Sequence, residues 1–68
     1  MGTATNSTAA ELSAAAETVG RYRRRVADLV GPHLGSERDD LVSALYEAER
    51  SLQGAERALL RALKLTGT

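Results

Sequence analysis

The chain of 68 residues has no cysteine, tryptophan or phenylalanine, and two tyrosines are its only aromatic residues. The missing cysteine excludes a disulfide framework and a metal site built on thiolates. Burial of apolar surface stabilises a fold by roughly 25 cal/mol per Å², whereas ordering the chain costs about 1.5 kcal/mol per residue. So short a chain buries too little apolar surface to exceed that cost by much. We therefore expect self-association or a partner protein to supply the remaining stability.

Net charge is missing too, because nine basic and nine acidic residues cancel. A neutral chain has no overall field to hold nucleic acid or anionic lipid. No apolar run approaches the ~20 residues of a membrane span, and the start of the chain lacks the order of a signal peptide. The sequence therefore favours a cytoplasmic location. Abundant arginine and alanine beside a single lysine, Lys64, suggest a GC-rich bacterial genome.

Proline occurs once, and the pair Gly31-Pro32 is the strongest break in the chain. Glycine accepts the left-handed conformation that often follows a helix, and proline cannot continue one. On both sides of the break, apolar residues recur at steps of three and four, as on one face of a helix. The sequence therefore predicts an all-α fold, an antiparallel hairpin of two helices over about 8–30 and 37–65 with a turn at 31–35.

Both predicted helices have capping signals at their starts. Thr8 followed by Glu11 fits a capping box, in which each side chain satisfies a free backbone amide. Ser36 precedes acidic residues that the helix dipole favours in a first turn. Residues 1–7 are small and polar, so we expect a frayed lead-in before a single domain over residues 8–68.

The second helix carries the clearest pattern, a heptad repeat of alternating steps of four and three. One row of the repeat is mostly small and the other mostly large. The predicted seam consists of Leu41, Leu45, Ala48, Leu52, Ala55, Leu59, Ala62 and Thr66. The matching row of the first helix consists of Leu12, Ala15, Val19, Tyr22, Val26 and Leu29.

Residue size predicts how the two helices align. Pairing positions whose numbers sum to about 67 sets Val19 against Ala48 and Leu12 against Ala55, so that large faces small, as close packing requires. In this register, Leu52→Ala leaves a cavity and Ala55→Leu overpacks the seam. We therefore expect each of these substitutions to destabilise the hairpin.

A basic cluster lies in the first helix and consists of Arg21, Arg23, Arg24 and Arg25 around Tyr22. Guanidinium groups beside an aromatic ring suit phosphates and stacked bases, so the cluster could contact RNA or DNA. It could also contact an acidic protein. The interpretation that we favour is pairing with acids of the second helix, because the predicted register brings them close. Those acids are Asp39, Asp40 and Glu47.

Several hydrophobic residues fall outside the predicted seam. They are Val30 in the first helix and Val42, Tyr46, Leu60, Leu63 and Leu65 in the second. An apolar surface left on so small a hairpin marks an interface, and we assign it to the five second-helix residues. It would close two hairpins into a four-helix bundle or dock on a larger protein. In length and topology such a bundle resembles the small plasmid-copy-number RNA-binding dimers of the Rop type, which implies RNA or DNA at the basic cluster.

No set of residues predicts catalysis or a cofactor. His33 is the sole histidine and has no second histidine, cysteine or acid cluster to complete a metal site or a catalytic pair. Acids at the start of the second helix are explained by its dipole without a metal ion. The sequence therefore predicts a non-enzymatic protein–protein interaction module that holds no cofactor or metal.

Overall fold

The computed structural model describes the backbone of residues 2–67 and the side chains of residues 7–67. Two long helices, α1 (Gly2–Val30) and α2 (Asp39–Thr66), pack against each other as a hairpin. The Cα atoms extend over 56 × 13 × 11 Å, so the molecule is a rod two helices wide. The predicted all-α helical hairpin is confirmed.

The first helix begins earlier than predicted. Because α1 starts at Gly2, Thr8 lies inside the helix and does not cap it. Serine and threonine cost less than about 1 kcal/mol inside a helix, so a capping signal does not start a helix where nothing breaks the chain before it. The expected frayed lead-in over residues 1–7 falls mostly on side chains outside the described residues, and it stays a prediction.

The first helix ends in a short turn of 3-10 helix, Gly31–His33. Proline fits near the start of such a turn, where its missing N–H is not needed. The backbone amide of Leu34 donates to the carbonyl of Gly31 at 3.2 Å, which closes the turn. Gly31 is not left-handed as predicted. Among the described residues that conformation belongs to Gly35, with φ of 80°.

Ser36 stabilises the connector rather than capping α2. Its hydroxyl donates to the carbonyl of His33 at 2.7 Å and accepts from the backbone amide of Arg38 at 3.2 Å. The second helix therefore begins at Asp39 and not near residue 37, with no side-chain cap at its first position. The connection between the helices begins at Gly31, as predicted, but extends to Arg38 rather than ending at residue 35.

Charges at the two ends of α2 follow the helix dipole as predicted. Asp39 and Asp40 lie in the first turn, and Lys64 lies in the last turn. The Oδ1 atom of Asp40 accepts a hydrogen bond from the backbone amide of Leu41 at 2.8 Å. This contact satisfies one of the amides that have no partner inside the helix.

The face of α2 toward α1 differs from the predicted seam in one of its two rows. The large row is confirmed, because Leu45, Leu52 and Leu59 are half-buried. The small row is wrong in its middle, because Ala48 and Ala55 are exposed, whereas its end members Leu41 and Ala62 are half-buried. Half-buried residues one position further along the chain take its place, namely Val42, Glu49, Glu56 and Leu63.

The face of α1 is displaced by one residue in the same way. Tyr22 and Leu29, predicted to lie in the seam, are 51% and 52% exposed. Ala16 and Val30 are only 5% exposed, although the sequence pattern had left Val30 outside the seam. The inward rows of α1 are Ala9, Leu12, Ala16, Val19, Arg23, Val26 and Val30, of which Leu12, Val19 and Val26 were predicted.

The predicted register of the hairpin is also wrong. Glu56 lies beside Gly20 and Arg23, and the numbers of these pairs sum to 76 and 79. A sum of about 67 had set Glu56 opposite Glu11 instead. Because the chain reverses between His33 and Asp39, later than the predicted turn, every level of α1 meets a residue further along α2.

Two substitutions in α2 separate the observed packing from the predicted seam. Leu52→Ala removes a half-buried leucine and should lower the free energy of unfolding by about 2 kcal/mol, at the low end of the range for buried leucines. Ala55→Leu, in contrast, should change it by less than about 0.5 kcal/mol, because Ala55 is exposed. Urea unfolding of dilute protein, followed by circular dichroism, measures both. Equal losses in the free energy of unfolding would show that the predicted seam is correct.

Candidate interaction surface

A half-buried ion pair joins the two helices near their middle. The Nε atom of Arg23 donates to Oε1 of Glu56 at 2.9 Å, and the two side chains are 25% and 24% exposed. Among the described residues it is the one ion pair that connects α1 with α2. Partial burial shields the pair from the screening that weakens surface ion pairs. The pair therefore favours one register and one rotation of each helix.

Gly20 provides the space that this ion pair needs. A Cβ atom at this buried position would lie 2.7 Å from Oε2 of Glu56 and 3.4 Å from its Cδ. The Nη1 atom of Arg24 would lie 3.6 Å from the same Cβ. A larger residue here must displace the carboxylate that Arg23 holds. Close approach, rather than an unusual backbone conformation, is the reason for glycine at this position.

Sequence reasoning missed this ion pair, because charged residues are ordinarily placed on the solvent side of an amphipathic helix. One signal was available. Glycine inside a helix costs about 1 kcal/mol relative to alanine, so Gly20 marks a place where something must approach closely. Its position three residues before Arg23 puts both on adjacent turns of one helix face.

The other members of the basic cluster do not share one surface. Nη1 of Arg21 lies 3.9 Å from Oε1 of Glu17, one turn earlier in α1. The guanidinium carbon of Arg25 lies 5.8 Å from the ring centroid of Tyr22, a cation–π contact. Arg24 is exposed and forms no ion pair with a described residue. The cluster thus divides into separate local contacts.

The acids predicted to pair with the cluster do not do so. Asp40 binds Arg38 instead, with 3.1 Å between Oδ1 and Nε. Asp39 and Glu47 form no ion pair within residues 7–67. The reason is the register, which sets the acidic start of α2 near the connector. The Arg38 side chain and the Leu41 amide both stabilise charged Asp40, and they lower the pKa of its carboxyl.

The predicted interface divides between the inside and the outside of the hairpin. Val42 and Leu63 are half-buried on the side of α2 that faces α1. Tyr46, Leu60 and Leu65 are 46%, 48% and 67% exposed. Only these last three could meet a partner without opening the hairpin. Whether they bind one stays a prediction.

Two shallow clefts lie along the outer face of α2. Their linings are Ser43, Tyr46, Glu47 and Arg50 in one, and Arg57, Leu60, Arg61 and Lys64 in the other. Both clefts are open to solvent. The first combines Tyr46 with one acid and one base, and the second combines Leu60 with three basic side chains. Within the described part of the chain, no group of three or more His, Asp or Glu side chains could hold a metal ion. Neither described helix is long and apolar enough to cross a membrane.

Comparisons with known proteins identify no relative of this chain. The chain matches no protein-family model, no curated protein and no solved structure. The candidate surface therefore has to be interpreted from its own residues.

Two glycine substitutions test the role of Gly20. At Gly54, also inside α2, an added Cβ meets nothing within 4 Å. Gly54→Ala should therefore stabilise the hairpin by about 0.5 to 1 kcal/mol through helix propensity. Gly20→Ala should lack this increase, because the new methyl group displaces Glu56. In a Glu56→Ala background, the increase from Gly20→Ala should return. An equal increase at both glycines in the native background, measured by urea unfolding, would contradict this role.

Asp40 should make stability depend on pH in the acidic range. Its pKa is lower in the folded chain than in the unfolded chain, so its contribution is present above the ordinary carboxyl pKa of about 4 and is lost as the pH falls through the folded value. The loss in melting temperature between neutral pH and about pH 2.5 should be smaller in Asp40→Asn than in the native chain. Identical losses in the two proteins would show that Asp40 is not involved.

Proposed function

We propose that this chain is a non-enzymatic protein–protein interaction module that acts in the cytoplasm. It self-associates or docks on a larger protein through surfaces of α2. The main observation that supports the proposal is that the hairpin alone buries few of its side chains. Among the described residues only Ala16, Gly20 and Val30 are buried. The exposed large hydrophobic residues are Tyr22, Leu29, Leu34, Tyr46, Leu60 and Leu65.

The free energy of burial favours a partner for these residues. Covering a large hydrophobic side chain contributes about 1.5 to 3 kcal/mol when it becomes fully buried, and these are about half exposed or more. They lie on more than one side of a rod only two helices wide, so the hairpin itself does not cover them. Association converts that surface into stability, which a hairpin of this length otherwise lacks.

The chemistry of the cleft around Leu60 also favours binding over catalysis. General acid–base or nucleophilic catalysis needs a base within hydrogen-bond distance of the group that it activates. The cleft around Leu60 is lined by Arg57, Arg61 and Lys64, which are all cations at neutral pH. Cations around an apolar side chain suit contact with another macromolecule better than proton transfer.

The alternative is a four-helix dimer of the Rop type that binds RNA or DNA through Arg21, Arg23, Arg24 and Arg25. Two of these arginines are exposed without a carboxylate partner among the described residues, namely Arg24 and Arg25. The other two belong to ion pairs. A phosphate contact by all four would have to break the pair that joins the helices, so we favour the protein–protein role.

Sedimentation at increasing protein concentration tests the proposed function. Between about 1 and 200 µM, the mass and the melting temperature should both rise, because association stabilises the folded chain by mass action. Association through apolar surface should persist at about 1 M salt, whereas binding to phosphates should fall steeply with salt. A chain that stays monomeric, melts independently of concentration and binds RNA with a steep salt slope would contradict the proposal.

A further inference from the structure

One side of α2 is uncharged over its whole length. Beside the rows that pack on α1, two further rows follow the same alternation of three and four residues, from Leu41 to Leu65. Six of their eight positions are exposed. We name these eight residues the open face: Leu41, Ala44, Ala48, Ser51, Ala55, Ala58, Ala62 and Leu65. Alternation of three and four is the pattern that a second helix packs against.

The first helix widens this apolar surface. In an antiparallel pair of heptad helices, the positions that precede one inward row of each helix lie on the same side of the pair. Tyr22 and Leu29 precede inward positions of α1, as Ala48 and Ala55 do in α2. The half-exposed Tyr22 and Leu29 side chains therefore flank the open face. The surface is two helices wide and includes large side chains as well as alanines.

The outer edge of the open face carries charges in a definite order. At seven-residue intervals it presents Asp40, Glu47, Gly54 and Arg61. The edge is negative toward the start of α2, neutral in the middle and positive toward the end. Glu47 and Arg61 are exposed and form no ion pair in the described part of the chain.

This order of charges identifies the occupant. When the edge is laid beside a reversed copy of itself, acids meet bases, whereas a parallel copy sets like charges together. An antiparallel pair centred on Gly54 brings Glu47 level with Arg61 of the other copy. Two-fold symmetry then forms the same contact twice. Gly54 falls at the axis.

We propose that the open face binds a second copy of this chain, with the two α2 helices antiparallel and Glu47 of each copy beside Arg61 of the other. This inference rests on the proposed function and names its partner. Tyr22 lies between Gly20 and Arg23, at the level of Glu56, so the two copies of Tyr22 approach near the same axis. Stacked in this way, two hairpins form a four-helix bundle.

Charge exchange tests the arrangement by sedimentation. Glu47→Arg and Arg61→Glu each replace two attractions with two repulsions, and each should weaken dimerisation about ten-fold. The double variant, and an equimolar mixture of the two single variants, should both return to native affinity. Arg57→Glu changes charge equally on a neighbouring row that points away from the open face, and it should have little effect. Failure of both the double variant and the mixture to recover would overturn the arrangement.

Ala55→Glu and Leu60→Glu separate this inference from the proposed function. Both residues are exposed in the hairpin, so both variants should stay helical by circular dichroism. Ala55→Glu puts charge on the open face and should abolish dimerisation, whereas Leu60→Glu alters the opposite side and should not. The reverse result would overturn the open face and retain the proposed function. A native chain that is monomeric throughout would overturn the inference and self-association together.

Cross-linking tests the antiparallel register directly, because the native chain has no cysteine. A Cβ at Gly54 meets nothing within 4 Å, so Gly54→Cys fits the hairpin. In the dimer the two thiols face each other near the axis, and mild oxidation should link the copies. Gln53→Cys lies at the same level on the opposite side of α2 and should stay reduced. Linkage of Gln53→Cys but not of Gly54→Cys would overturn the register.

Discussion

The ion pair of Arg23 with Glu56 is the constraint on which the rest of the hairpin depends. A charged residue on the inner face of a helix loses solvation, and an opposite charge on the facing helix compensates for that loss. The pair therefore fixes the register in which its two members meet. It also requires Gly20, because a side chain there would occupy the space of the carboxylate. The rotation of each helix, the register of the hairpin and the glycine at position 20 are thus all explained by a single contact.

The same contact decides which surface α2 offers to other molecules. With Glu49 and Glu56 turned toward α1, the row that contains Ala48 and Ala55 turns away from it. Residues that would have filled the inside of the hairpin become its open face. The hairpin therefore has less apolar contact between its helices and more apolar surface exposed to solvent. In this way the internal packing leads to the proposed association.

Helical periodicity and the Gly31-Pro32 break were sufficient to predict the fold class and the large row of α2. They could not select the second row, because Leu45, Leu52 and Leu59 belong to both candidate seams. Apolarity alone favours the row with Ala48 over the row with Glu56, and only the register shows that Glu56 meets Arg23. The register in turn depends on the 3-10 turn after α1, which composition does not reveal.

Ala55 faces away from α1 in the hairpin, and we propose that it faces a second copy of the chain. The rate of thiol labelling in an Ala55→Cys variant, measured against protein concentration, tests both orientations. Labelling should be rapid in dilute protein, where hairpins are separate, and should slow as the concentration rises. Slow labelling that is independent of concentration would place this residue inside the hairpin, as the apolar pattern alone suggests, and would show that Ala55 does not face a second copy.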